Sequence, residues 1–376
     1  MKNTNNLPFL RFIFFILLAV STSACLNSYV RVQKPVFQNS SQQGIQTIKQ
    51  EQYVHKFTER KFDETIETDK LSRRAFEELE KENFAWIEQQ AEKARKGKEL
   101  LPGGYWKIAY IYFGLDAPAN NTDEAYQKHF ERLNRWKEKF PKSITARVAL
   151  ASSWFSYSAE ASGTGYAYTV SDEDRKLSHE RLENAEKELL EAKNLQGKCP
   201  HWYFLMLSLA RNQGWEFKDY EALYRDAVAY EPDYYYFQRD KAIYLMPRYH
   251  GKSGEWEAYV ENVSNEIGGE KGAMMYYLLL SYCTVNINDN YFDKKKFSWE
   301  KAKRGFDAIE KNFKMEKQRL NEFAKFTVYA NETAAAKEAF ERIGENWLAS
   351  IWTSKENFEM HRDIAIYGRH TQIAQK

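Results

Sequence analysis

The chain has 376 residues, with 55 Lys and Arg against 53 Asp and Glu and a net charge of +2. Charges this evenly balanced leave no basic footprint for nucleic acid, and they give no reason to make an anionic membrane surface the main partner. Aromatic residues make up 16% of the chain, 25 Tyr and 24 Phe among them, which suits a core of bulky rings wedged between helices.

Residues 1–24 read as an export signal. Lys2 and Arg11 supply the positive start, and the apolar run Phe12 to Val20 is too short to span a bilayer as a mature helix. Small residues Ser21 to Ala24 follow, and Cys25 stands directly after them. That is where bacterial lipoproteins place the sulfur that receives lipid, so the segment resembles a lipoprotein signal with Cys25 as the new N-terminus. Thr22 departs from the pattern, since Leu is typical there. Cleavage by ordinary signal peptidase at the same bond, and an uncleaved anchor, are the alternatives. Leu26 follows in place of the Asp that retains lipoproteins in the inner membrane, so the resemblance implies the outer membrane, facing the periplasm. Residues 25–50 are rich in Asn, Gln and Ser and read as a flexible tether between lipid and domain.

Residues 51–121 read as N-terminal helices. A helical pattern starts near Glu51, with Phe76, Leu79, Phe84 and Ile87 at helical spacing up to Gly97. Leu101-Pro102-Gly103-Gly104 breaks it, and Tyr105 to Phe113 is a short aromatic helix. From Thr122 to Trp352 the pattern becomes helix pairs. Leu182, Ala185, Leu189 and Ala192 form one stripe of a long amphipathic helix, and Trp202 to Arg211 is nearly apolar throughout. Asn286 to Phe297 reads as a loop insertion, and residues 353–376 as a polar tail.

Ala302, Phe306 and Ile309 recur as Ala336, Phe340 and Ile343, each displaced by 34 residues. That is the period of the tetratricopeptide unit, whose second helix carries a small residue, an aromatic four later and an apolar residue three after that. Tyr220, Tyr224 and Ala227 before Pro232 echo the spacing. No stretch sustains period-two alternation. The expected fold is therefore all-α, with antiparallel helix pairs stacked as a tetratricopeptide-like α-solenoid.

No catalytic signature stands out. Gly251-Lys252-Ser253 lacks the Gly five residues earlier that a phosphate-binding loop needs, since Met246 stands there. Gly163-Thr164-Gly165 lacks the third glycine of a dinucleotide fingerprint, because that position is Tyr168. Cys199 and His201 flank Pro200, a spacing that does not suit a thiol–imidazole pair, and no zinc spacing occurs. Cys199 and Cys283 either form one bridge or stay as two buried thiols. His55, His129, His179, His201 and His250 read as structural or solvent-facing, and Glu221, Asp226 and Glu231 as solvated charges. Two glycine-rich breaks remain as a candidate ligand site, one holding Tyr166 and Tyr168, the other Arg248 and His250 with Trp256 nearby. An Arg among rings can grip a carboxylate or stack on a ring, although capping of helix carbonyls by Arg248, or packing of its stem on Trp256, is the favoured reading.

Residues 76–347 resemble a bacterial family known as domain of unknown function 4034. The likeness rests on three runs: Ser162 to Val170, Cys199-Pro200-His201-Trp202-Tyr203 leading into Ala210 to Trp215, and Tyr244 to Gly251 running on to Gly254-Glu255-Trp256. The resemblance implies a tetratricopeptide-type fold and no activity or cofactor. The chain is expected to be a lipid-anchored envelope protein that binds another protein or an extended peptide on a concave surface. A cell-wall enzyme or glycan-binding protein is the alternative, since rings stack on sugars, and a factor conferring immunity to a neighbour's toxin is a third.

Overall fold

Short polar residues open the helices. Thr122, Ser143, Ser171 and Ser298 each accept a hydrogen bond from the amide three residues on, at 3.2, 2.9, 3.0 and 3.1 Å. Each bond satisfies one of the donors that a helix N-terminus leaves without a partner. The computed structural model describes residues 57–163, 170–195, 197–285 and 296–367. Among them are sixteen helices: α1 (Glu67–Glu80), α2 (Phe84–Gly97), α3 (Lys107–Leu115), α4 (Asp123–Lys139), α5 (Ile144–Ser162), α6 (Asp172–Lys193), α7 (Pro200–Gln213), α8 (Phe217–Tyr230), α9 (Tyr236–Tyr244), α10 (Glu255–Ile267), α11 (Gly269–Val285), α12 (Trp299–Asn312), α13 (Lys317–Tyr329), α14 (Thr333–Ile343), α15 (Ala349–Trp352) and α16 (Lys355–Tyr367). A two-residue hairpin, Leu100–Leu101 with Tyr105–Trp106, is the one sheet among the described residues.

The helices form two layers. From α1 to α13 the odd-numbered helices pack one behind another, and from α5 on each even-numbered helix backs the odd one before it. Burial follows the layering. Every residue of α9 is buried and nearly every residue of α7, whereas α12 buries one stripe and turns its Lys and Glu outward. The fold is thus an all-α helical-repeat solenoid.

The repeated residues share one role. Ala302, Phe306 and Ile309 on α12 and Ala336, Phe340 and Ile343 on α14 are all buried. Each ring reaches forward into the next pair. Phe306 stacks on Phe323 of α13 at 3.6 Å between centroids, while Phe340 meets Trp352 and Phe358 at 5.4 and 5.3 Å. Tyr220 of α8 does the same, stacking on Tyr244 of α9 at 3.9 Å. The small residues permit backbone contact: a Cβ on Gly305 would lie 2.0 Å from the Ala273 carbonyl oxygen of α11.

The array closes on itself. The Glu67 amide at the start of α1 donates to Glu316 at 3.3 Å, Thr68 donates to Gln318 at 3.2 Å, and Lys317 donates to Thr65 at 2.9 Å. The hairpin crosses the interior beside this seam. The Gly103 amide donates to the Lys314 carbonyl at 2.7 Å, and Trp106 Nε1 donates to the Asp233 carbonyl at 3.1 Å.

Three expectations change. The N-terminal helical pattern is two helices, broken at Glu82, which takes φ 55°, and residues 57–66 are not helical. The apolar spacing continues across the break, which hides it from a periodicity reading. The polar tail carries α16, because Phe358 is buried against Phe340 and Trp352 and holds an otherwise polar helix. The inner face is not an open concave groove, since closure of α1 on α13 and the hairpin occupy it. The loop expected at Asn286 to Phe297 lies mostly outside the described residues.

Two predictions concern this architecture. Phe306→Ala and Phe340→Ala should each cost about 3–5 kcal/mol in denaturant unfolding, the range for truncating a core Phe. Wild-type stability of both would contradict the repeat assignment. The second concerns pH. Burial pushes the Glu316 carboxyl from 4.5 up to about 7 despite its two amide donors, and pushes Asp69 up to about 6. A carboxyl with a raised folded pKa binds more protons folded than unfolded between its two pKa values, so its contribution is full below about pH 4.5 and is lost as pH rises through 7. Glu316→Gln should therefore remove on the order of 2 kcal/mol of the stability difference between pH 5 and pH 8. An unchanged pH profile would show that the seam does not titrate.

Candidate functional site

Four inner helices and the hairpin converge on a cavity of about 50 Å³. Tyr105 comes from the hairpin, Tyr110 and Phe113 from α3, Tyr235, Tyr236 and Arg239 from the start of α9, Leu278 and Tyr282 from α11, and Arg319 and Glu322 from α13. Ile351 of α15 completes the wall. Each side chain points inward because its helix belongs to the inner column.

The two arginines differ. Arg319 lies over the Tyr105 ring at 4.1 Å, donates to Glu322 at 2.8 Å and donates to the Gly103 carbonyl at 3.3 Å. Its charge is matched. Glu322 also accepts from the Tyr105 hydroxyl at 3.3 Å. Arg239 is 8% exposed and lies between two rings, 4.4 Å from the Tyr236 centroid and 4.2 Å from that of Tyr282. Among the described residues it has no carboxylate within 4.0 Å and no side-chain hydrogen bond, and its Nε is buried without a partner. A buried charge is normally paired, because desolvating it alone is costly. Burial pushes the Tyr110 and Tyr236 phenols well above their ordinary 10.0, so both remain protonated donors at neutral pH.

The turn chosen from sequence does different work. Trp256 is 1% exposed and packs on Phe297 at 5.0 Å, so it is a core residue rather than a ligand contact. The His250 ring stacks on Tyr244 at 4.6 Å and bonds through Nε2 to the carbonyl of Arg211 at 2.7 Å, which caps the end of α7. Arg248 is half-buried, with its guanidinium 5.6 Å from the Tyr249 ring. Gly251 is required by the turn, since a Cβ there would lie 1.9 Å from the Leu245 carbonyl oxygen. The turn closes over a buried ion pair. Asp240 accepts from Arg211 at 3.0 Å, from Ser208 at 2.8 Å and from Tyr220 at 2.9 Å, with the pair's side chains 2% and 1% exposed. Tyr166, Tyr168 and Cys25 lie outside the described residues.

The remaining candidates are structural. His129 and His201 are fully buried, and burial pushes both down to about 3, which keeps them neutral. His201 stacks on Tyr112 at 4.5 Å. Cys199 and Cys283 are free and buried, and burial pushes the Cys283 thiol up. Glu231 is buried and paired with Lys98 at 2.9 Å, and Glu221 pairs with buried Lys241, so neither is a simple solvated charge. No cluster of His, Cys, Asp or Glu able to hold a metal ion occurs among the described residues.

Compared with known proteins, the chain matches no family model, and no curated protein matches it. The site therefore rests on geometry alone.

The cavity residues escaped the sequence reading. Gln238, Arg239, Asp240 and Lys241 are consecutive polar residues in a short helix after three tyrosines. A run of four covers every face of a helix, so one of them had to face the interior of a buried α9. That signal becomes readable only once α9 is known to be enclosed.

Asp240→Asn should cost about 3–5 kcal/mol, because it leaves Arg211 buried without its countercharge. A loss under about 1 kcal/mol in chemical denaturation, the scale of an exposed pair, would show that the pair is hydrated.

Proposed function

We propose that this chain is a lipid-anchored envelope protein, tethered through Cys25 on the periplasmic side, whose closed helical array binds a ligand in its central cavity. Arg239 carries the reading. A guanidinium nine-tenths buried, beside rings and without a carboxylate within 4.0 Å among the described residues, is costly to bury and becomes favourable once an acceptor arrives. Binding is favoured over turnover by the lining. It holds one carboxylate, Glu322, already engaged by Arg319 and Tyr105, whereas glycoside hydrolysis uses two facing acids. A partner protein or peptide would meet the outer layer or the cavity rim, because the inner column is occupied. The resemblance to domain of unknown function 4034 and the signal-like segment before Cys25 complete this reading.

Two measurements test it. Native mass spectrometry of the chain extracted from its own envelope should show a retained small molecule that is lost in Arg239→Gln. Identical masses for both proteins, each equal to the polypeptide with its lipid, would count against a cavity ligand. Cys25→Ala should move the protein from the membrane to the soluble fraction. Unchanged membrane retention, with no lipid adduct on the wild-type peptide, would refute the anchor.

A further inference from the structure

We infer that the ligand of the central cavity is a small organic monocarboxylate, gripped edge-on by Arg239. This rests on the reading that the cavity is a binding site and names the chemistry it selects. Three observations converge on that class.

The first is direction. The Tyr236 and Tyr282 rings lie 4.4 and 4.2 Å from the Arg239 guanidinium, with Phe204 at 5.6 Å. A guanidinium beside rings still offers its N–H donors along its edge, where they lie in one plane. A carboxylate presents two acceptors in a plane at matching spacing, and the paired N–H···O bonds that result are charge-assisted. The Tyr110 and Tyr236 phenols line the same space as neutral donors.

The second is charge. Arg319 is matched by Glu322 at 2.8 Å, so the lining carries one uncompensated positive charge. One negative charge neutralises it. A dianion would leave a surplus charge, and a neutral amide would leave Arg239 without a countercharge.

The third is size and polarity. A volume of about 50 Å³ admits about four water-sized groups, at roughly 10–15 Å³ each. Phe113, Leu278 and Ile351 supply an apolar wall for the other end of the ligand. Acetate, with four heavy atoms, matches this volume, and a short aliphatic acid suits it better than a ring-bearing one.

The test is a calorimetric titration of the full chain, purified in detergent, with sodium acetate, propionate, benzoate and sulfate and with acetamide, at constant ionic strength. Acetate and propionate should bind and raise the melting temperature. Acetamide, the neutral isostere, and sulfate should not, and benzoate should bind more weakly than acetate. Arg239→Gln should weaken acetate binding about tenfold or more, the effect of losing a bond to a charged group. Tyr110→Phe, which keeps the ring, should weaken it several-fold, and it serves if the arginine variant fails to fold. Sulfate or acetamide binding as tightly as acetate would overturn the ligand class and leave the cavity reading intact. No response to any carboxylate would overturn the class, and the native masses above would then decide the cavity reading separately. Undiminished acetate binding by a folded Arg239→Gln would place the site elsewhere.

Discussion

The structure depends on the seating of α1 against α13. An open solenoid exposes the inner face of its first helices and needs polar caps at both ends. Here the ends cover each other, through Glu67, Thr68 and Thr65 on one side and Glu316, Gln318 and Lys317 on the other. The inner helices are enclosed by their neighbours, α7 by α3, α5, α6, α8 and α9, and α9 by α7, α8, α10 and α11, which explains why α7 and α9 have no solvent stripe. It also accounts for the aromatic content. A closed ring of helices leaves an irregular space on its axis, and Tyr105, Tyr110, Tyr235, Tyr236 and Tyr282 fill most of it.

An enclosed helix must satisfy most of the polar groups it carries, and α9 leaves two buried side-chain atoms without a partner among the described residues, Gln238 Oε1 and Arg239 Nε. Asp240 takes three neighbours' donors, Lys241 meets Glu221, and Gln238 donates to the Pro232 carbonyl at 3.1 Å. These bonds tie α7, α8 and α9 into one unit. Arg239, on the same turn, has rings beside it and no carboxylate within 4.0 Å among the described residues. Ring contacts offset part of the desolvation of a cation, at roughly 0.5–2 kcal/mol each, but do not replace its hydrogen bonds. Arg211, equally buried, has Asp240 beside it at 3.0 Å, whereas Arg239 has no carboxylate within 4.0 Å among the described residues.

What was legible from sequence follows from range. The helix start at Thr122 was readable because a cap acts over three residues. The repeat of Ala302, Phe306 and Ile309 was readable because each pair presents the same surface to the next. The seam was not, because the Glu67–Glu316 contact spans 249 residues and leaves no local trace. The charged run of α9 resembles a solvated face until α9 is known to be enclosed. The turn at Arg248, His250 and Trp256 drew notice for good chemical reasons, but its ring and imidazole stabilise the end of α7 and the core. The apolar residues Phe358, Met360, Ile364 and Ile366 stand among charged and polar ones, too little to announce α16.

Closure is most directly tested at Gly103. Its amide bonds across the interior to Lys314 at 2.7 Å, beside the cavity and far from any regular helix bond. Residue-resolved hydrogen exchange of the intact chain should show this amide exchanging as slowly as the core amides of α9, through global unfolding. Exchange at the rate of an exposed loop, with α9 still protected, would show that the ends do not meet and that the cavity is open to solvent.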